Sequence, residues 1–480
     1  MTILDLSIII LFFSGFIIYG LFQGKNNQSA NDYFVGKKSL PWWVAMFSIV
    51  ATETSVLTFV SVPGKAFQGE WFFLQLAFGF ILGRILVCIF LLPDYFRNEV
   101  TSIYQVLGSR FGTGIQKSAS LIFLVTRVLA DGIRFLATAV IVQVITGWSL
   151  PVSVLLIGVV TSIYTFSGGI RTIVWIDSIQ FILYLAGGLI SIVYMFSHFH
   201  EPIIDVFTNL MAAGKFQIFQ FGWDLEKPYL FFNAVFGGML LSFASHGADH
   251  MMVQRVLSTK SLSNARKAMI GSGVFVCFQF LVFLLVGSLL HVFFQNMDIS
   301  QIDPDFINNG QSDLKQDRVF PLFIVQFLPV GLKGLLLAGV LSAAMSTLSS
   351  SINSLASSTV TDWFRKNQSL KNARVISLLW AIILMGIALI FDESDKAIID
   401  IGLEIASFTY GGLLGLFILS KFKRNFHPVS LTLGLISSIL IVFLLKEIGL
   451  AWTWFIFVAV TMNLVITNIF ESLFYLRSDE

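Results

Sequence analysis

Long apolar runs, each near the length of a membrane-crossing helix, alternate along this chain with short polar segments. A helix crosses the hydrocarbon core of a bilayer with about 17–25 mostly apolar residues. Runs of that kind fall near 5–22, 41–63, 71–93, 118–146, 150–166, 173–197, 231–254, 268–294, 332–361, 374–391, 397–420, 429–446 and 450–474. The pattern predicts thirteen spans, with two longer loops over 198–230 and 295–331. The second loop is acidic (Asp298, Asp303, Asp305, Asp313, Asp317), and 321–327 within it reads as a short helix outside the membrane. Asp5 stands where a secretory signal carries basic residues, so the first run reads as a retained span.

Composition sharpens this picture. Of 480 residues, 56% are apolar and only 12% are charged. A soluble fold of this size has no means of hiding that surface or of covering itself with so few charges. Helices satisfy their own backbone groups in lipid, which leaves an all-α polytopic membrane protein as the expected class. A net charge of +2 offers no footprint for nucleic acid. Cys88 and Cys277 both lie in apolar runs and read as inert core thiols. With the N-terminus outside, the inner segments hold 19 Lys and Arg against 7 in the outer ones. That asymmetry predicts an outer N-terminus and a cytoplasmic C-terminus. With no appended soluble domain, the function is expected inside the bundle. A monomer suffices for it, and a bacterial inner membrane is the expected location.

Ionisable and strongly polar groups inside spans are costly, and they usually face an interior path. Five places carry them. Thr52, Glu53, Thr54, Ser55 and Thr58 crowd the second span, where a local break frees carbonyls for an ion or solute. Ser242, Ser245, His246, Gly247, Asp249 and His250 mark a second interruption five spans later. Paired interruptions of this kind point to an inverted-repeat transporter. In the ninth span Ala343, Ser346, Thr347 and Ser350 share one helix face. Close helix packing is one reading of that stripe, and hard-oxygen ligation of sodium is the other. Asp177, six residues beyond Arg171 in the sixth span, calls for either that arginine or a cation as partner. In the fourth span Asp131 and Arg134 sit at i, i+3 spacing, which leaves Arg127 without an obvious local partner. No HExxH metal motif and no nucleophile with an adjacent base is visible in the spans, so an intramembrane enzyme is disfavoured.

Taken together these motifs resemble the sodium/solute symporter family, which includes sodium–sugar, sodium–proline, sodium–sialic acid and sodium–iodide or monocarboxylate carriers. The residues that carry the resemblance are Pro41, Trp42 and Trp43 followed by 51–55, and Gly168 and Gly169 leading to Trp175 and Asp177. Gln254 and Arg255 and the serine-rich stretch 342–350 complete it. The resemblance implies a leucine-transporter-type core of two inverted five-helix repeats, 41–197 and 231–420. One extra helix at 5–22 precedes them and two at 429–474 follow, all within a single transmembrane domain spanning 1–480. It also implies sodium-driven import of a small polar organic solute by alternating access: a sugar, a carboxylate, an amino acid or a sialic-acid-like molecule.

The resemblance further implies a main sodium site built from the carbonyls of Ala51, Thr54 and Ala343 with the hydroxyls of Ser346 and Thr347. A further sodium site, found in some members, maps onto Asp177, Ser346, Ser349 and Ser350, so one or two sodium ions are expected per cycle. The solute is expected between the broken helices, near Glu53, Ser55, Thr58, Gln75, Arg127, Ser242, Ser245 and His246. A proton-coupled or uncoupled permease of the same architecture, titrating on Glu53, is the main rival. A sodium-dependent sensor is a more distant one.

Overall fold

A computed structural model describes residues 2–54, 56–295, 314–364, 368–390 and 398–478. The described chain is helical apart from one isolated parallel bridge between Leu40 and Thr259. Fifteen helices carry the architecture. They are α1 (Ile3–Gly24), α2 (Trp42–Glu53), α3 (Val56–Gln68), α4 (Gln75–Leu86) and α5 (Thr113–Thr146). Next come α6 (Leu150–His198), α7 (Phe231–Gly247), α8 (His250–Leu257), α9 (Leu262–Phe294) and α10 (Val319–Gln326). The last five are α11 (Leu332–Ser358), α12 (Leu370–Ala388), α13 (Ile398–Leu419), α14 (Pro428–Glu447) and α15 (Phe455–Ser478).

Among the described residues, eight helical segments are long and apolar enough to cross a membrane, and nine when the bent α2–α3 pair counts as one. Their burial sorts them into a centre and a periphery. The apolar window of the segment beginning with α11 is 94% buried, whereas those of α1, α12, α14 and α15 lie between 22% and 33%. The serine-rich helix is therefore the axis of the bundle, and the outer helices turn apolar side chains such as Ile10, Ile382 and Leu440 outward. That is the arrangement lipid as solvent requires.

α6 runs through two of the sequence-predicted spans without an intervening loop. It bends at Gly169, whose φ of +65° belongs to the left-handed region. A side chain there also has no room, since a Cβ would come within 2.6 Å of the Tyr33 carbonyl oxygen. α4 packs backbone to backbone on α7, because a Cβ at Gly83 would meet the Met239 carbonyl oxygen at 2.3 Å. Small residues at a helix crossing are how membrane helices gain close van der Waals contact.

One residue gains a role and one expectation changes in detail. Asp5 is buried at the start of α1. It accepts from the Thr2 hydroxyl at 2.7 Å and from the backbone N–H groups of Gly331 and Gly334 at 2.8 and 3.0 Å. Its carboxylate thus covers the positive end of α11 as well as capping its own helix. The short helix expected at 321–327 forms as α10, but it is buried, with the Phe320 ring of α10 tilted against that of Phe59 of α3, centroids 4.8 Å apart. Asp298, Asp303, Asp305 and Asp313 lie outside the described residues.

A candidate ion and solute site at two helix breaks

The first break follows from its own composition. α2 ends at Glu53, and Thr54 turns to an extended conformation (φ −91°, ψ 93°) before α3 resumes at Val56 with its axis bent by 62°. Polar side chains flank this turn and three other helices hold them. The Glu53 carboxylate is hydrogen-bonded by Arg84 of α4 and lies 3.6 Å from His246 Nε2 of α7. Arg84 in turn donates to Ser272 of α9 at 2.8 Å. The Thr54 hydroxyl meets the Tyr184 hydroxyl of α6 at 2.7 Å, and Tyr184 donates to Gln279 of α9 at 2.6 Å. Ser55 lies outside the described residues, and Thr58 is buried one turn further on.

The second break is closed differently. α7 ends at Gly247, Asp249 is extended, and its side chain caps α8 by accepting from the Met251 N–H at 2.8 Å. Two tyrosines from the segment that precedes α5 answer the freed carbonyls. Tyr95 donates to Gly247 O at 2.5 Å and Tyr104 to Ala248 O at 3.2 Å. The other Asp249 oxygen receives the Tyr410 hydroxyl of α13 at 2.5 Å and lies 3.5 Å from Arg127 Nε of α5.

Between the breaks lies Asp177 of α6, fully buried. Its Oδ1 accepts from Ser346 of α11 at 2.8 Å, and its Oδ2 from Ser48 of α2 at 2.7 Å. Thr52 of α2 and Ser350 of α11 approach Oδ2 at 3.4 and 3.5 Å, and they meet each other at 3.2 Å. The salt-bridge partner is Arg255 of α8, 3.5 Å away, which also donates to Ser48 at 3.0 Å. The carboxylate therefore ties together α2, α6, α8 and α11. The local Arg171–Asp177 pair allowed by the sequence is not the one formed.

The remaining candidates separate clearly. Ala51, Thr54, Ala343, Ser346, Thr347, Ser349 and Ser350 are all buried, and Thr347 Oγ1 faces the Ala343 carbonyl at 3.5 Å. Ser349 donates to the Ser346 carbonyl at 3.0 Å. Gln75 is occupied by backbone, donating to Phe72 O and Tyr229 O at 3.0 and 2.9 Å. Ser242 donates to Phe80 O at 3.0 Å, within the α4–α7 contact. Ser245 lies 2.9 Å from His246 Nδ1.

Arg127 does find partners. Asp131 lies 3.6 Å away on its own helix, and Asp249, Tyr410 and the Met251 sulfur surround it. Arg134 pairs with Asp131 at 3.6 Å. It lines a small pocket with Asp131, Phe135 and Thr138 of α5 and with Ala344, Thr347 and Leu348 of α11.

Arg84, Tyr184 and Gln279 are parts of this site that the sequence pattern did not single out, and Arg255, noted there only as part of a motif, gains its role as the partner of Asp177. The two arginines carried a usable signal, namely a permanent charge within or beside an apolar run with no acid in helical reach. The tyrosine and glutamine carried none, since single polar residues recur throughout the spans.

Comparison with known proteins points the same way. The family profile described as "Sodium:solute symporter family" matches residues 33–427. The sodium/sialic acid symporter NanT of Aliivibrio fischeri is 28% identical over 433 residues, covering 88% of this chain and 83% of that protein. A solved sodium-coupled sialic acid symporter in a substrate-bound outward-open state superposes with a TM-score of 0.87 at 25% identity, covering 98% of both chains. Mhp1, a nucleobase-cation-symport-1 family transporter in a closed conformation, shares the fold with a TM-score of 0.58 at 15% identity, over 92% of this chain and 94% of its own.

Proposed function

The chain belongs to the sodium:solute symporter family, a membrane transporter in which sodium is the coupling ion, and from that premise we propose where its ions and solute bind and what the solute is. The main sodium ion sits between the α2–α3 break and α11, on the carbonyls of Ala51, Thr54 and Ala343 and the hydroxyls of Ser346 and Thr347. A further ion sits at Asp177 with Ser346, Ser349 and Ser350. The observation that carries this reading is the Thr52–Ser350 contact of 3.2 Å, which brings the break against the hydroxyl face of α11. An oxygen-only donor set of this kind suits a hard cation.

The thirteen-span arrangement, with 5+5 inverted repeats, an outer N-terminus and insertion in a bacterial inner membrane as a monomer, belongs to the same proposal. It is supported by the broken α2–α3 and α7–α8 pairs and by the distribution of basic residues. The solute is a small polar molecule that carries a carboxylate and hydroxyls, of the sialic-acid type. Arg134, with Thr138 and Thr347 beside it, supports this, as do the sialic acid symporters among the relatives. Arg134 takes the place that the sequence suggested for Arg127, because Arg127 is enclosed by its own partners.

Sodium in the main site ties the break to α11 and favours the state open to the outside. Solute binding then permits closure, and loss of sodium to the interior loosens the tie. Each sodium ion entering down a tenfold gradient and 100 mV releases about 3.7 kcal/mol. Two ions carrying a monoanion move one net charge and release about 5 kcal/mol, enough for accumulation on the order of a thousandfold.

The proton-coupled rival depends on Glu53, and that carboxylate is already taken up by Arg84 and faces His246 at 3.6 Å, which opposes it. Proteoliposome uptake tests the proposal. A sodium gradient should drive uptake of labelled N-acetylneuraminate, a potassium gradient should not, and Arg134→Gln should weaken solute affinity at least tenfold. Sodium-driven uptake of a neutral sugar or of proline in place of the acid would overturn the solute assignment. Uptake driven equally well by a proton gradient alone would overturn the ion assignment.

A further inference from the structure

The segment that joins α6 to α7 turns large apolar side chains outward beyond the ends of both helices. Within it the short helix Ile203–Ala212 divides into three faces at 3.6 residues per turn. Val206 and Leu210 are buried against the bundle. Ile203, Ile204 and Met211 form a second face, which is exposed. Asp205, Thr208 and Asn209 form the third, also exposed. One face is met by protein, one calls for an apolar medium and one for water. A helix that needs both media at once lies in the plane of a membrane–water interface.

The run that follows repeats the arrangement without helix. Phe219, Phe221, Trp223 and Leu225 are exposed, Trp223 to 86%. Phe219 and Phe221 stack at 6.3 Å, and Trp223 stacks on Phe232 of α7 at 5.4 Å. Phe219 also stacks on Phe78 of α4 at 6.2 Å. The patch is therefore continuous with the outward apolar side chains of the spans, such as Leu82 of α4 and Phe232 of α7. Its backbone is fixed. Trp71 N–H donates to Gln217 O at 3.0 Å, Phe231 N–H to Gln220 O at 2.7 Å and Ala451 N–H to Leu225 O at 2.9 Å. The rings are thus presented outward by an ordered chain. A contiguous apolar patch of this kind is unfavourable in water, and tryptophan is enriched where headgroups meet acyl chains.

We infer that residues 203–225 form an interfacial anchor, which inserts Ile203, Ile204, Met211, Phe221 and Trp223 into the headgroup–acyl boundary on the side where α6 ends and α7 begins. The anchor is tied to the first break. Buried Lys215 donates from Nζ to Phe67 O in the last turn of α3 at 2.9 Å, satisfying a carbonyl that the helix end leaves free. The far end of the half-helix beyond that break is thereby moored to the membrane surface.

The test uses the full-length protein in phosphatidylcholine nanodiscs. In a Cys88→Ala, Cys277→Ala background, Ile204→Cys, Trp223→Cys and Asp205→Cys each carry the environment-sensitive fluorophore NBD. Phosphatidylcholine brominated near the head of the acyl chain should quench the label about twofold or more in Ile204→Cys and Trp223→Cys and leave it unquenched in Asp205→Cys. Aqueous iodide should do the reverse. Phe221→Cys stands in should Trp223→Cys fail to fold. Labels in Ile204→Cys and Trp223→Cys that iodide quenches as strongly as in Asp205→Cys, and that brominated lipid leaves untouched, would overturn the inference. Protection from both quenchers only when a disc holds two copies would also overturn it, by giving the patch to a second copy of this chain. Lipid quenching as strong in Asp205→Cys as in Ile204→Cys would put the whole helix among the acyl chains and overturn the interfacial assignment.

Discussion

The two helix breaks look alike in sequence and are finished in opposite ways. Each places an acidic residue at the interruption and meets it with an arginine from another helix: Glu53 with Arg84 at the first, Asp249 with Arg127 at the second. At the second break the protein also answers the freed carbonyls itself, through the Tyr95 and Tyr104 hydroxyls. At the first, the carbonyls of Ala51 and Thr54 receive no side-chain donor among the described residues, although both residues are buried. In the reading proposed above these carbonyls, beside the hydroxyl-lined α11, are ligands of the main sodium ion. The proposed account therefore gives the first break to sodium, whereas the second is a bend, tied by its own tyrosines, that carries α8 and Arg255 to Asp177.

The largest effect that sharpens this contrast comes from the arginine at the first break. Arg84→Met leaves the Glu53 carboxylate without its strongest partner and should cost about 3 kcal/mol of stability, read by thermal unfolding in nanodiscs. Adding Glu53→Gln should recover most of that loss. A double variant no more stable than Arg84→Met shows that the arginine acts by packing and not by charge.

A smaller effect is expected at the second break. Tyr95→Phe removes the donor to Gly247 O and should cost about 1–3 kcal/mol with no change in sodium affinity. A shift in sodium affinity instead would break the comparison, because the second break would then also contribute to an ion site. The smallest change in stability belongs to Thr347→Ala. Loss of its hydroxyl should raise the half-saturating sodium concentration about tenfold, equivalent to about 1.4 kcal/mol. Its stability without sodium should stay within about 0.5 kcal/mol of wild type. Unaltered sodium affinity in this variant takes Thr347 out of the main site.

The extent to which this architecture is legible in the sequence depends on the distance over which its causes act. Apolar run length and local clusters are short-range features, so the spans, the crowding at 52–58, the interruption near Gly247 and the hydroxyl face of α11 can all be read from neighbouring residues. Partnerships between helices are not readable in the same way. Asp177 has Arg171 only six residues away in sequence and yet pairs with Arg255 from a different helix. Arg127 likewise gains Asp249 and Tyr410, both far away in sequence. No periodicity encodes which helices become neighbours, so the polar network that joins α2, α6, α8 and α11 emerges only from packing. Gln75 and Ser242 teach the converse lesson. Polar residues in the right spans prove to be bonded to backbone carbonyls at helix contacts.

The most direct test of the central claim is the thermal stability of the purified protein in sodium against equimolar choline, with and without N-acetylneuraminate. A ligand that binds only the folded state adds about 2.7 kcal/mol at 100 times its dissociation constant. The account predicts a rise in melting temperature with sodium alone and a further rise with the acid that appears only when sodium is present. No shift with sodium, or an equal shift with the acid in choline, would contradict it.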